Sequence, residues 1–419
     1  MSLKRSVKKF IKNHTTNESP MGKLYQSLIN RKRRHRYEKF AELPIDDKLV
    51  IFESFMGRRY TDSPRAIYEY MLKSDRYKDY HFVWCFRDSV MANFEYLASN
   101  ERTRLIRWGS EEYYRTYAYG KYWITNTRIP AAIGRREEQV YTQCWHGTPL
   151  KRLGCDIETE ATESKETTRA VFAGDAMRFS YLVSTSRFYT EKMSSAFDLK
   201  RLGKTDVVIE TGYPRNDALV SHKADDIERI KRELAIPEGK KVILYAPTYR
   251  ENQRDENRKY QYKQGLDFHK LRESLGEDYV ILFRAHYYIA SEFNFDDFAG
   301  YIWDVSTYPE INDLYMVADI LVTDYSSVFF DFGILRKPII YYMYDLEHYR
   351  DELRGFYLTL DELPGPIVEE QGELAEKIIT VDQWTSEKEY RNKYEAFSAR
   401  FTYLEDGHAT ERVVERIFG

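Results

Sequence analysis

The chain has 419 residues, of which 42% are hydrophobic and 31% charged, a soluble globular balance too long for one ordinary core and comfortable for two domains of roughly 150–200 residues. Three cysteines, Cys85, Cys144 and Cys155, form no CxxC pair, so neither a disulfide framework nor a structural zinc site is expected and a reducing cytoplasm fits. No apolar run approaches the roughly 18–20 residues that cross a bilayer.

Charge is divided unevenly along the chain. Residues 1–40 carry twelve Lys and Arg against Glu18 and Glu38, a surplus of ten, which leaves −13 on the remainder of a chain whose net charge is −3. Two short basic helices are expected in this segment, around a break at Pro20–Met21–Gly22. In the first, Leu3, Val7, Phe10 and Ile11 recur at helical spacing beside Lys4, Lys8, Lys9 and Lys12. Such a stripe enters the headgroup layer of an anionic membrane while lysines snorkel. A solvated arm, and nucleic-acid binding through RKRRHR (31–36), are the competing readings.

From Leu49 strands and helices alternate. LVIFESF (49–55) reads as a buried strand, PRAIYEYML (64–72) as a helix and YHFVWCF (80–86) as a strand. MANFEYLAS (91–99) follows as a helix, RLIRW (104–108) as a strand, and residues 111–126 run from helix into strand. QVYTQCWHG (139–147) is a strand ending in a loop, and residues 207–219 form a strand, a tight turn and a short helix. The second half repeats the theme, with a charged helix over 221–234 and strands at 241–250, 279–286, 319–323 and 338–345 around helices at 268–275 and 310–318. Single helices between strands predict doubly wound parallel sheets. The boundary is expected near residues 218–226. Tyrosine, at 36 residues, is expected mainly to pack half-buried surfaces.

Ligands of open parallel sheets bind beyond the carboxyl ends of the strands, and three such loops carry reactive side chains. CWHGTPLKRLG (144–154) presents His146 on a Gly–Thr–Pro turn, with Lys151 placed to meet a phosphate. An imidazole titrates near operating pH and suits removal of a hydroxyl proton, although a lone loop histidine is more often an ordinary polar residue. FRAHYYI (283–289) puts Arg284 and His286 on one side of a strand end, as a phosphate fork and a donor to a leaving group, or as a structural ion pair. ILVTDYSSVFFDFG (320–333) delivers Thr323, Asp324, Ser326 and Ser327 to the mouth of a helix, a phosphate site or plain capping. Asp331, further in, is placed toward a ribose hydroxyl. A P-loop, a GxGxxG after the first strand, HExxH and GxSxG are all missing from the sequence, which argues against ATP, zinc-protease and serine-hydrolase chemistry.

WHGTPLK (145–151), RAHYYI (284–289) and DYSSVFFDFGILRKPIIYYMYD (324–345) together resemble the signatures of the CDP-glycerol glycerophosphotransferases of teichoic acid and capsule synthesis. VIFESFMGRRYTDSPRAIYEY (50–70) and RWGSEEYYRTYAYGKYWITN (107–126) extend the resemblance to about residues 49–350, with Tyr287 where some members have proline. The family implies two Rossmann-like α/β domains facing a cleft in a GT-B-like architecture. The basic segment would then be 1–44, the acceptor domain 45–222 and the CDP-donor domain 223–419, with the last helix able to pack back on the first domain.

By motif position His146 resembles the catalytic base. His286 with Arg284 resembles the contact that stabilises departing CMP, and Ser326 and Ser327 resemble further phosphate contacts; Asp331 would be the ribose partner by analogy with other nucleotide-binding folds of this shape. The expected partners are a CDP-linked polyol, a lipid-linked polymer and an anionic membrane surface, with no nucleic acid. No resident cofactor is implied, Mg²⁺ is not indicated, and the expected location is cytoplasmic, peripheral on the inner membrane face. CDP-ribitol as donor and sugar-nucleotide glycosyl transfer are the competing enzymatic readings.

Overall fold

The computed structural model describes residues 20–158, 165–248, 265–285, 295–346 and 355–419. The apolar stripe expected before Pro20, and His286, lie outside the described residues.

Seven strands build the first sheet: β1 (Asp46–Glu53), β2 (His81–Phe86), β3 (Thr103–Arg107), β4 (Gly120–Thr125), β5 (Val140–Gln143), β6 (Tyr181–Ser184) and β7 (Val208–Glu210). They lie parallel in the order β3-β2-β1-β4-β5-β6-β7. Six more form the second: β8 (Lys241–Ala246), β9 (Tyr279–Phe283), β10 (Ile302–Asp304), β11 (Ile320–Thr323), β12 (Ile339–Tyr342) and β13 (Ile367–Val368). These are also parallel, in the order β10-β9-β8-β11-β12-β13. The alternating pattern of the sequence thus produces two Rossmann-like domains.

Parallel sheets are covered on both faces, so their strands read as continuous apolar runs. In β1, Leu49, Val50, Ile51 and Phe52 are all buried. In β8, Val242, Leu244 and Ala246 join one core while Ile243 and Tyr245 join the core on the opposite face. Much of the tyrosine is interior: Tyr68, Tyr113, Tyr114, Tyr117 and Tyr141 are fully buried in the first domain, and Tyr301, Tyr315 and Tyr325 in the second.

Two segments depart from the expected elements. Met91–Ser99 winds as a 3-10 helix with only Leu97 buried, so little packing draws it into an α-helix. Pro20–Glu38 is one continuous helix, so Met21 and Gly22 of the expected break are helical; a single glycine within a helix costs only about 1 kcal/mol.

The chain crosses between domains more than once. The last helix, Ala409–Phe418, buries Val413, Val414 and Ile417 in the core of the first domain, and Phe418 packs edge-on against Tyr77 and Tyr80. Gly212 makes room for that return: at φ +81°, a Cβ there would lie 2.9 Å from the Leu404 carbonyl oxygen. A buried ion cluster joins the two sheets at the same end. Arg215 bonds Asp62 at 2.8 Å and Asp331 at 2.6 Å, and Asn216 reaches the other Asp331 oxygen at 3.0 Å.

Candidate active site

Strand order reverses between β1 and β4 and between β8 and β11, the switch points where open α/β sheets leave a crevice for ligands. The loops after these strands, with those after β5 and β9, line one cavity of about 750 Å³ between the domains. The first domain contributes Phe55, Arg58, Arg59, His146 and Lys151, and the second Thr248, Arg284, Ser326 and Ser327. Among the described residues the lining holds four Arg and Lys side chains and no Asp or Glu. Such a wall selects a polyanion.

The loop after β5 aims His146 into this space. Trp145 adopts φ 55°, a left-handed conformation that is costly for a bulky side chain, and its N–H is held by Gln143 Oε1 at 2.8 Å. The sharp turn leaves His146 open to the cleft, with its ring stacked on Trp145 at 4.6 Å. His146 Nδ1 lies 2.9 Å from the Asn126 carbonyl oxygen. A carbonyl accepts only, so in the neutral ring Nδ1 carries the proton and Nε2 keeps its lone pair. Desolvation by the surrounding walls holds the imidazole pKa below its usual value, opposed in part by the bond to Asn126. The ring is therefore a neutral base at physiological pH. At Gly147 an added Cβ would stand 3.1 Å from Ser327 Oγ, so the histidine loop and the serine loop face each other at close range.

Across the cavity, Arg284 follows β9. Its Nη1 donates to the carbonyls of Val305 at 2.8 Å and Tyr308 at 3.0 Å, fixing the guanidinium. Burial, and next the nearby Arg59 charge, lower its pKa to about 10. A cation so destabilised still holds its proton at pH 7, and an arriving anion relieves the strain. Ala285, the next residue, also lines the cavity. Ser327 precedes the helix Val328–Phe332, which has only five residues, and its side chain makes no capping bond.

Three residues expected at the ligand have other tasks. Thr323 is fully buried and donates to the Ala246 carbonyl at 2.8 Å, tying β11 to β8. Asp324 Oδ1 accepts from the N–H groups of Thr248 at 2.7 Å and Tyr325 at 2.6 Å, shaping the serine loop from beneath. Asp331 does not line the cavity. Its carboxylate oxygens are taken by Arg215 and Asn216, so it fastens the domains and leaves no oxygen aimed at a ribose.

Arg58, Arg59, Asn126 and Arg215 were not singled out in the sequence. The Arg pair had a signal, two adjacent cations just after a buried strand, turned toward the cleft by Phe55 and Met56 at φ 47° and 58°. Arg215 also donates to the His146 carbonyl at 3.1 Å, bracing the loop that carries the base.

The model of the CDP-glycerol:poly(glycerophosphate) glycerophosphotransferase family matches residues 36–419. A teichoic acid glycerol-phosphate transferase of Staphylococcus aureus (strain NCTC 8325 / PS 47) is 39% identical, over 91% of this chain and 95% of its own length. A teichoic acid poly(glycerol phosphate) polymerase of Bacillus subtilis (strain 168) is 38% identical over 100% of this chain, which spans 55% of that longer relative. A solved structure of the wall teichoic acid polymerase TagF, a His→Asn variant soaked with CDPG, superposes with a TM-score of 0.82 at 32% identity, covering 100% of this chain and 98% of that one. With a shared two-sheet architecture and a match over nearly the whole chain, the protein belongs to the CDP-glycerol:poly(glycerophosphate) glycerophosphotransferase family.

Proposed function

We propose that this chain transfers glycerol phosphate from CDP-glycerol to a hydroxyl of a lipid-linked teichoic-acid-type polymer and releases CMP. The observation that carries the reading is the interdomain cavity, whose walls among the described residues hold Arg58, Arg59, Lys151 and Arg284 and no carboxylate, with His146 opening into it. The donor diphosphate lies against Arg284, Ser326 and Ser327. The acceptor oxygen attacks the glycerol-bearing phosphorus in line, and its proton passes to His146 Nε2. A new P–O bond forms as the bond to the CMP phosphate breaks, and CMP departs with the electron pair. His286, which the family motif pairs with Arg284, is the donor to that leaving group. Positioning and charge stabilisation suffice for such a transfer, so no covalent enzyme intermediate is required.

The helix Pro20–Glu38 serves the lipid-linked substrate. Met21, Leu24 and Leu28 project from it at 58%, 61% and 49% exposure, three and four residues apart and hence on one face. Arg31, Lys32, Arg34 and Arg36 follow them along the same helix. No helix among the described residues is long and apolar enough to cross a membrane. Peripheral attachment to the inner face, where a cytoplasmic nucleotide donor meets a lipid-borne acceptor, is the arrangement we infer.

A donor panel of CDP-glycerol, CDP-ribitol and UDP-sugars, scored for released CMP or UDP, tests the reading. CDP-glycerol should dominate. Preferential turnover of a UDP-sugar would overturn it.

A further inference from the structure

A second cavity, of about 930 Å³, lies wholly on the first domain and shares Thr127, Trp145 and His146 with the interdomain one. His146 therefore stands at a junction with two separate approaches. An in-line displacement needs that topology, since the incoming hydroxyl and the departing group must sit on opposite sides of the phosphorus.

The second cavity has the chemistry of a polyol phosphate site. Trp108 forms part of its wall. Its indole N–H is fixed by Glu53 Oε1 at 3.1 Å, and its ring carries Arg87 at 4.6 Å and Arg33 at 5.8 Å. Glu53 is itself buried and accepts from Tyr113 at 3.0 Å and Tyr117 at 3.1 Å, so the platform is held from behind. Deeper in the cavity, Arg178 is committed: its guanidinium bonds the carbonyls of Ile129, Pro130 and Ile133 and pairs closely with Asp175. Arg128 is differently placed. Its side chain is 42% exposed, and it reaches Asp175 only at 3.9 Å, too far for a hydrogen bond. Arg178 thus neutralises Asp175, the one carboxylate lining the cavity among the described residues, and the Arg128 fork faces the open space with an aromatic ring, Phe172, 5.2 Å behind it.

We propose that this second cavity is the acceptor subsite, in which Arg128 and Arg33 take phosphodiester groups of a polyol phosphate chain, Trp108 packs its carbon backbone, and the terminal hydroxyl reaches His146. The assignment rests on the transferase reading of His146. It also explains why one helix carries both features. From Leu24 to Arg33 is about 14 Å at the 1.5 Å rise of an α-helix, so the apolar stripe and the cavity mouth lie within one short span. A chain anchored in lipid enters the cavity beside the helix that holds the protein to the membrane.

The test uses Arg33→Gln, Arg128→Gln and Gly174→Phe in the full chain. Gly174 lines the cavity, and an added Cβ there meets nothing within 4 Å, so the phenylalanine fills the space without disturbing packing. Two quantities are read: calorimetric binding of a soluble glycerol phosphate oligomer without donor, and the KM for CDP-glycerol in CMP release. Arg33→Gln and Arg128→Gln should each weaken oligomer binding by about tenfold or more through loss of a charge-assisted contact, and Gly174→Phe by about as much through occlusion, with the donor KM within twofold of wild type. Unchanged oligomer affinity in all three variants overturns the proposal, as does a parallel loss of donor affinity. A wild-type chain that releases no CMP from CDP-glycerol refutes the donor reading instead, and oligomer binding still decides the second cavity.

Discussion

Replacing His146 with alanine separates general-base catalysis from binding. The side chain opens into the cleft, and its structural ties are one bond to the Asn126 carbonyl at 2.9 Å, stacking on Trp145 and a tilted ring contact with Phe55 at 5.9 Å. The fold should therefore survive His146→Ala with a modest change in melting temperature. Turnover should not. A positioned base contributes roughly 10²–10⁴-fold, which at about 1.4 kcal/mol per decade is a barrier increase of about 3–6 kcal/mol. CMP release at saturating CDP-glycerol and soluble acceptor measures it directly. The pH profile adds a second signature. Because desolvation lowers the His146 pKa, the wild-type acid limb should fall at a pH below the ordinary imidazole value of about 6.5, and that limb should vanish in the variant. Near-wild-type turnover by His146→Ala, or an acid limb unchanged by the substitution, would refute the base assignment.

Arg284→Gln should raise the KM for CDP-glycerol by roughly 10–100-fold through loss of a charged contact to phosphate, and a KM within twofold of wild type would remove Arg284 from the donor site. Arg215→Met leaves the buried carboxylates of Asp62 and Asp331 without their cation, so unfolding should cost about 3–5 kcal/mol less than in wild type. Burial already raises the Asp331 pKa. A carboxyl raised in the folded state lends stability at low pH that is lost as pH rises, so the Arg215→Met deficit should widen from mildly acid to neutral pH. A urea titration showing less than about 1 kcal/mol at both ends of that range would contradict the bolt. Leu24→Glu with Leu28→Glu should abolish binding to anionic vesicles and spare activity on a soluble acceptor, and undiminished vesicle binding would end the membrane reading.

Fold class was legible because the buried strands are long apolar runs. LVIFESF and KVILYAPTYR announce β1 and β8, the strands beside each switch point, and the loops after them supply much of the cleft. Strands with little sequence to show were missed. β6 has four residues, β10 three and the edge strand β13 two, too short to display a period. The helices Lys165–Ala176 and Arg187–Ala196 went unread for a different reason, since their polar faces dominate a short span. At the site, strand-end placement brings His146, Arg284, Ser326 and Ser327 to the wall of one cavity. The same logic does not carry Thr323, Asp324 and Asp331 to that wall, because which way a side chain turns at a strand end depends on partners distant in sequence. Ala246 takes the Thr323 hydroxyl, Thr248 the Asp324 carboxylate, and Arg215 that of Asp331. The carbonyl that sets the His146 tautomer belongs to Asn126, twenty residues upstream, and no local motif marks it.

Transfer through His146 depends on where the donor sits. A crystal structure of this chain with CDP-glycerol should place the diphosphate within hydrogen-bonding distance of Arg284 and the Ser326 and Ser327 hydroxyls, its glycerol-bearing phosphorus turned toward His146 Nε2. A nucleotide bound anywhere that leaves His146 unable to reach the far side of that phosphorus would contradict it.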